Sequence, residues 1–182
     1  MKRTVLFAAI AAAFIPGVVL ADMNYTNLEV NYLDLDVGES SVSGDGFEIA
    51  GSWELNDQFH LFGSWQDQSY DGGYDGDMIE LGGGWNHAFS DTLDFVGTLS
   101  YLDADFEGTS DDGLAIGGGI RSRLGDSFEV EAGLKYVDFD SDSDTGLQLG
   151  ARYYFNDTMA LGAKISDNDN FDTFRLGFRW EF

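Results

Sequence analysis

From Phe174 to Phe182 every second residue is apolar: Phe174, Leu176, Phe178, Trp180 and Phe182, with Arg175, Gly177, Arg179 and Glu181 between them. Alternation at this period belongs to a strand with two unlike faces. One face here is aromatic and aliphatic, the other is charged, and the last residue is a bare aromatic. In a soluble sandwich such a terminal strand would invite pairing with a second chain. A closed barrel with lipid outside removes the free edge and gives the greasy face its solvent.

At the other end Met1-Lys2-Arg3 is basic, residues 5–20 are apolar apart from Pro16-Gly17, and Val19 and Ala21 stand at the −3 and −1 positions of a cleavage site. Residues 1–21 are expected to be a secretory signal peptide and residues 22–182 a single mature domain. The apolar run is shorter than the roughly 20 residues of a spanning helix. The chain has no cysteine, which removes disulfides and an N-terminal lipidated Cys from consideration. Its 33 acids against nine bases exclude nucleic acid as a partner. Such acidity is also the mark of disorder, but 15% aromatic residues and long alternation oppose that reading.

One turn pattern recurs: Leu55-Asn56-Asp57-Gln58-Phe59, Phe89-Ser90-Asp91-Thr92-Leu93, Leu124-Gly125-Asp126-Ser127-Phe128 and Phe155-Asn156-Asp157-Thr158-Met159. Each reads as a three-residue hairpin loop with its apolar flanks paired. Between the turns run alternating segments, such as Leu28, Val30, Tyr32; Phe47, Ile49, Trp53; Leu93, Phe95, Leu99, Tyr101; and Phe128, Val130, Leu134, Tyr136. With the C-terminal segment they make ten strands. The expected fold is therefore all-β: a single closed antiparallel up-and-down transmembrane β-barrel of ten strands. Leu33, Leu35 and Val37 break the parity of the first strand, which predicts a bulge there and leaves eight strands as the alternative. The other connections, near residues 38–46, 70–77, 106–113, 140–145 and 167–170, read as longer acidic loops on the opposite side. Aromatic residues beside the short turns, among them Trp53, Trp85, Tyr153 and Trp180, suit an interfacial girdle.

The face opposite the apolar one carries all seven bases of residues 22–182: Arg121, Arg123, Lys135, Arg152, Lys164, Arg175 and Arg179. The acids Glu29, Glu48, Glu54, Glu80, Glu129, Glu131 and Glu181 share it. Within a narrow barrel these charges are tolerable only as a hydrogen-bonded, nearly neutral network. The turn at Asp126 sets Arg123 opposite Glu129 and Arg121 opposite Glu131, and the turn at Asp57 sets Glu54 opposite His60. The remaining acids are expected in loops and turns, off the lipid face.

Taken from leader to terminal Phe182, the chain resembles the small outer-membrane β-barrel proteins of Gram-negative bacteria, the porin-like and OmpA-like barrel group. That resemblance implies the bacterial outer membrane as location, membrane lipid and lipopolysaccharide as surroundings, and the barrel-assembly machinery as partner. Phe178, Trp180 and Phe182 would be the assembly signal that machinery reads. A monomer is expected, with a structural or surface-interaction role, and a narrow ion or small-solute channel as alternative. Barrel fold does not specify activity.

Catalysis is not expected. His60 and His87 each lie close to a tight turn, away from the rim where barrel hydrolases place their groups, and His87 has lipid-face parity. Asp140, Asp142 and Asp144 alternate along a loop and suit a hard cation, but the EF-hand pattern fails, with Thr145 at its sixth position and Ala151 at its twelfth. A solvated loop is preferred, with weak Ca²⁺ or Mg²⁺ binding that bridges to lipopolysaccharide phosphates as the alternative; no cofactor is expected. Gly82-Gly83-Gly84 and Gly117-Gly118-Gly119 are expected within strands, where they let the sheet curve or make room for long inward side chains.

Overall fold

Alternation with a period of two, sustained through most of residues 27–181, builds strands. The computed structural model describes residues 23–36, 43–106, 109–168 and 172–182; the expected leader at 1–21 lies outside them. Ten strands result: β1 Asn27–Asp36, β2 Ser43–Asn56, β3 Phe59–Tyr70, β4 Tyr74–Ser90, β5 Leu93–Phe106, β6 Thr109–Leu124, β7 Phe128–Phe139, β8 Ser143–Asn156, β9 Met159–Asp167 and β10 Asp172–Glu181. Each pairs antiparallel with its sequence neighbours and β1 pairs with β10, so the sheet closes with no edge.

The eight-strand alternative is thereby overturned. So is the expected bulge in β1, because its ladders to β10 and to β2 run unbroken from Asn27 to Asp36. Leu33 and Leu35 simply point inward, buried to 0% and 3% exposure. The parity of the apolar residues changes because the surroundings change. Past Tyr32 the outward residues Asp34 and Asp36 have left the apolar band, while Leu33 and Leu35 are enclosed in the lumen, where Leu102, Ala104 and Ala115 of β5 and β6 are buried as well.

The same effect extends round the barrel. Strands reach 17 residues in β4, well beyond the roughly 9–11 that cross a bilayer. The excess projects at the end with the longer connections, here called the loop end. Its outward positions carry aspartates in directly opposed pairs: Asp34 with Asp45, Asp67 with Asp77, Asp77 with Asp105, and Asp103 with Asp112. These acids sit in strands on the parity of the lipid face, not in loops and turns as expected. Opposed like charges destabilise a ladder, and water's high dielectric makes that tolerable only beyond the hydrocarbon. The loops are correspondingly shorter than expected, with strands running to Tyr70 and from Tyr74; residues 37–42, 107–108 and 169–171 lie outside the described ones.

At the other end, the turn end, one of the four hairpins matches the expected three-residue loop. Leu124 pairs with Phe128 around Gly125, Asp126 and Ser127, and Gly125 takes a left-handed φ of 71°. In the other three the ladder shifts by one residue. Asn56 pairs with Phe59, Ser90 with Leu93 and Asn156 with Met159, which leaves Leu55, Phe89 and Phe155 as the extra residues of bulges. The first turn residue decides which form is taken. Asn56 Oδ1 accepts from the Gln58 and Phe59 amides at 2.9 and 3.1 Å, Asn156 Oδ1 from Thr158 at 2.9 Å, and Ser90 Oγ from Thr92 at 3.3 Å. Glycine has no such acceptor and uses φ instead.

The outward surface between the two ends is a continuous apolar band. Leu28, Val30, Leu61, Leu81, Leu99, Ile116, Leu134 and Leu161 on it are 42–61% exposed. Aromatic rings close its turn end, with Phe128 against Tyr153 at 5.1 Å, Phe155 against Phe178 at 6.0 Å and Trp53 against Phe182 at 6.4 Å between centroids. Such a surface is stable only in hydrocarbon, and the rings mark its interface. Leu134→Arg, with Leu134 in the middle of β7, should cost about 2–4 kcal/mol. Folding titrations into lipid vesicles measure it, and an unchanged midpoint would place Leu134 away from lipid.

Candidate functional site

The lumen is where this chain's chemistry is concentrated, and its glycines explain how the side chains fit. On the inward face of β8 a Cβ at Gly150 would stand 2.7 Å from Glu131 Cγ, and on β9 a Cβ at Gly162 would stand 2.9 Å from Arg152 Cγ. A Cβ at Gly84 would meet the His60 ring. Flat strand surface at these points lets long side chains from neighbouring strands lie across it.

Arg121, Arg123, Lys135, Arg152, Lys164, Arg175 and Arg179 all form ion pairs with inward acids. Glu129, fully buried, is the centre of the network. Its two oxygens take Arg121 through Nε at 2.8 Å and Nη2 at 2.9 Å, and Oε1 also accepts from Arg152 Nη1 at 2.9 Å. Arg123 and Arg179 stand 3.5 and 3.7 Å away. Tyr154 donates to Glu181 at 2.5 Å and lies 3.3 Å from Glu129, with the Arg123 guanidinium 4.0 Å over its ring. Arg179 pairs with Glu29. Delocalised guanidinium groups are the cations best suited to such dry pairing.

Several of these pairs cross the barrel. Arg121 on β6 reaches Glu181 on β10 at 3.5 Å, past three intervening strands. Arg152 on β8 reaches Glu29 on β1 at 3.4 Å. Lys135 on β7 reaches Glu80 on β4, its Nζ donating to both oxygens at 2.6 and 2.7 Å, while Ser100 adds a third bond to Glu80 at 2.7 Å. A separate group joins Arg175 to Glu48 at 3.4 Å and to Ser166 at 3.1 Å, with Asn31 donating to Glu48 at 2.8 Å.

The expected registers hold, with Arg123 opposite Glu129, Arg121 opposite Glu131 and Glu54 opposite His60. The pairing is partly different. Arg121 binds Glu129, one position along, and Glu131 turns to Arg152 at 2.7 Å and Lys164 at 3.2 Å. Register fixes Cα partners, but in a closed lumen a long side chain also meets strands two or more places away. Glu54 faces inward near the turn end, and no ion pair to it is found among the described residues. Asp94, which alternation alone did not single out, is buried instead and accepts from the Tyr25 hydroxyl at 2.8 Å.

Tyr25 belongs to a segment ahead of β1 that covers the turn end of the lumen. Met23 and Tyr25 are buried. The Tyr25 ring stacks on His60 at 4.9 Å, Arg121 lies 4.9 Å over it, and Arg121 Nη1 donates to the Asn24 carbonyl at 3.0 Å. Nothing in the sequence pattern marks a non-strand segment for this place. Tyr154 is not singled out by the sequence reading either, although its place beside outward Tyr153 gives it inward parity. Toward the loop end Leu33 and Leu35 of β1 and, on the opposite wall, Leu102, Ala104 and Ala115 of β5 and β6 are buried. Between these regions lies a cavity of about 350 Å³, bordered by Glu48, Gln66, Glu80, Lys135, Lys164 and Arg175.

The remaining candidates lie elsewhere. His87 is outward, stacked on Trp85 at 5.6 Å within the aromatic girdle. Asp142 and Asp144 accept from the next backbone amides at 2.8 and 2.6 Å, and among the described residues no three acids or histidines are grouped to hold an ion. Phe178, Trp180 and Phe182 face outward, with Trp180 and Phe182 5.4 Å apart.

No family model matches the sequence, and no curated protein sequence matches it. Solved structures do. The barrel is similar to a KdgM porin in complex with disordered oligogalacturonate, at 12% identity and a TM-score of 0.52, over 86% of this chain and 99% of that one. It is also similar to the translocator domain of the autotransporter NalP from Neisseria meningitidis, at 14% identity and a TM-score of 0.50, over 89% of this chain and 91% of that one. The likeness is one of fold, to porin and autotransporter barrels, and it does not single out an OmpA-like group.

Removing one partner from a dry ion-pair cluster strands the others. Glu129→Gln should therefore cost about 3–5 kcal/mol, while Glu54→Gln should stay within about 0.5 kcal/mol. Unfolding midpoints in urea, read from tryptophan fluorescence of the barrel in vesicles, give both values; equal costs would remove Glu129 from the centre of the network.

Proposed function

We propose that the protein is an integral outer-membrane β-barrel of structural or surface-interacting kind, with a lumen closed by its own side chains. The observation that carries this reading is the set of ion pairs gathered on buried Glu129, joined to those that reach past intervening strands, Arg121 to Glu181 and Arg152 to Glu29. A ten-stranded barrel has little spare diameter, since even eight strands leave room only for side chains or one small ligand. Four arginines held by Glu29, Glu129, Glu131 and Glu181 and by a tyrosine fill the turn end, and their pre-organised donors favour fixed over mobile pairs.

In this reading residues 1–21 direct export and are removed, and Phe178, Trp180 and Phe182 are what the assembly machinery recognises. Short turns face the periplasm and the acidic loop end faces outside, where divalent cations link it to lipopolysaccharide phosphates. A narrow channel is the second reading, favoured by the central cavity and by the fold shared with a porin.

Planar-bilayer recordings separate the two. The wild type should give little or no steady conductance, whereas replacing Arg123, Glu129, Arg152 and Arg175 together by Ala should open a measurable one. A stable, ion-selective wild-type pore would establish the channel instead. For orientation, a cysteine at Asp71 should react with an impermeant reagent on intact cells and one at Asp126 should not; the reverse labelling would invert the topology.

A further inference from the structure

One pair of lumen bases differs from the rest. Lys164 on β9 and Arg175 on β10 are directly opposed in their ladder, both pointing inward. Like charges so placed repel. Every other described inward base faces an acid or a neutral residue across its ladders, as Arg123 faces Glu129, Arg179 faces Glu29 and Lys135 faces Gly117. The repulsion between Lys164 and Arg175 is not relieved by private partners. Glu131 serves Arg152 at 2.7 Å as well as Lys164 at 3.2 Å, and Glu48 accepts from Asn31 at 2.8 Å while Arg175 Nε stands at 3.4 Å.

Accessibility points the same way. The Lys164 side chain is 31% exposed, more than any other base of the lumen ion pairs, and that of Arg175 is 17% exposed, against 10% or less for the four arginines around Glu129. Both border the central cavity, as does Gln148, whose ladder partner on β9 is Ser166. An ammonium, a guanidinium and an amide thus share one wall of a space of about 350 Å³. That is the lower end of the volumes that hold small ligands.

We propose that this wall is an oxyanion-binding site, which takes the carboxylate or phosphate of a small solute between Lys164 Nζ and the Arg175 guanidinium, with Gln148 as a neutral donor. The bound anion removes the repulsion across the ladder and gives both cations charge-assisted hydrogen bonds. The site does not depend on whether the lumen conducts, so it stands or falls apart from the reading above.

Calorimetric titration of the folded full-length barrel in detergent micelles at low ionic strength tests it, with inorganic phosphate, succinate and uncharged glucose as probes. At least one of the two oxyanions should bind saturably, and glucose should not; which one binds identifies phosphate or carboxylate as the preferred group. Lys164→Gln and Arg175→Gln should each weaken binding by about tenfold or more, whereas Lys164→Arg, which keeps the charge, should stay within about threefold. Each variant is first checked for wild-type β-sheet circular dichroism, and the Lys164→Arg comparison stands if a Gln variant fails to fold. The site is rejected if neither oxyanion binds at up to about 10 mM, if glucose binds as well, or if a folded Gln variant binds like the wild type.

Discussion

The barrel rests on one electrostatic condition: charge enclosed by protein must find its counter-charge within reach. Glu129 is fully buried, and in apolar surroundings a lone carboxylate would be untenable. Arg121, Arg123, Arg152 and Arg179 make it tenable, and each needs Glu29, Glu131 or Glu181 in turn. The demand is collective, because removing any member leaves another unsatisfied. Glycines follow from it as well. Gly150 and Gly162 are flat so that Glu131 and Arg152 can lie down. The apolar outward face is the complement of the same condition, since polar side chains turned inward leave Leu, Phe and Trp for lipid.

Strand length and membrane thickness together arrange the acids. Strands longer than the hydrocarbon must protrude, and they protrude at the loop end, where outward positions change from Leu, Ile and Phe to Asp. The short turns at the other end hold the aromatic girdle close to their bulges. Asn56, Ser90 and Asn156 draw the backbone into a two-residue turn and push Leu55, Phe89 and Phe155 out as bulged residues. A turn residue thereby decides where an aromatic ring meets the interface. The strong net negative charge thus gathers largely on one rim, while the lumen stays close to neutral.

Two classes of lumen charge emerge. Around Glu129 the groups are dry, several partners deep and structural in character. Around the central cavity Lys164 and Arg175 are more open and share their acids with other donors. The distinction is one of accessibility and partner number, and it separates what holds the barrel together from what is poised to meet a solute.

Period-two alternation determined, from sequence alone, a closed barrel of ten or eight strands with its apolar face outward, because side-chain direction in a strand depends only on local backbone geometry; the pairing of β1 with β2 and β10 decided for ten. The same parity put Arg121, Arg123, Lys135, Arg152, Lys164, Arg175 and Arg179 inside, and turn positions set their registers. Which acid each base meets was decided by closure. Arg121 finds Glu181, Arg152 finds Glu29 and Lys135 finds Glu80 between strands that share no ladder, whose inward faces meet only because the sheet curls into a barrel. Local pattern also misread Leu33 and Leu35, whose inward direction makes sense only beside a lumen lined by Leu102 and Ala115. Tyr25 lies beyond the reach of any periodic rule, because the floor it covers exists only once the barrel has closed.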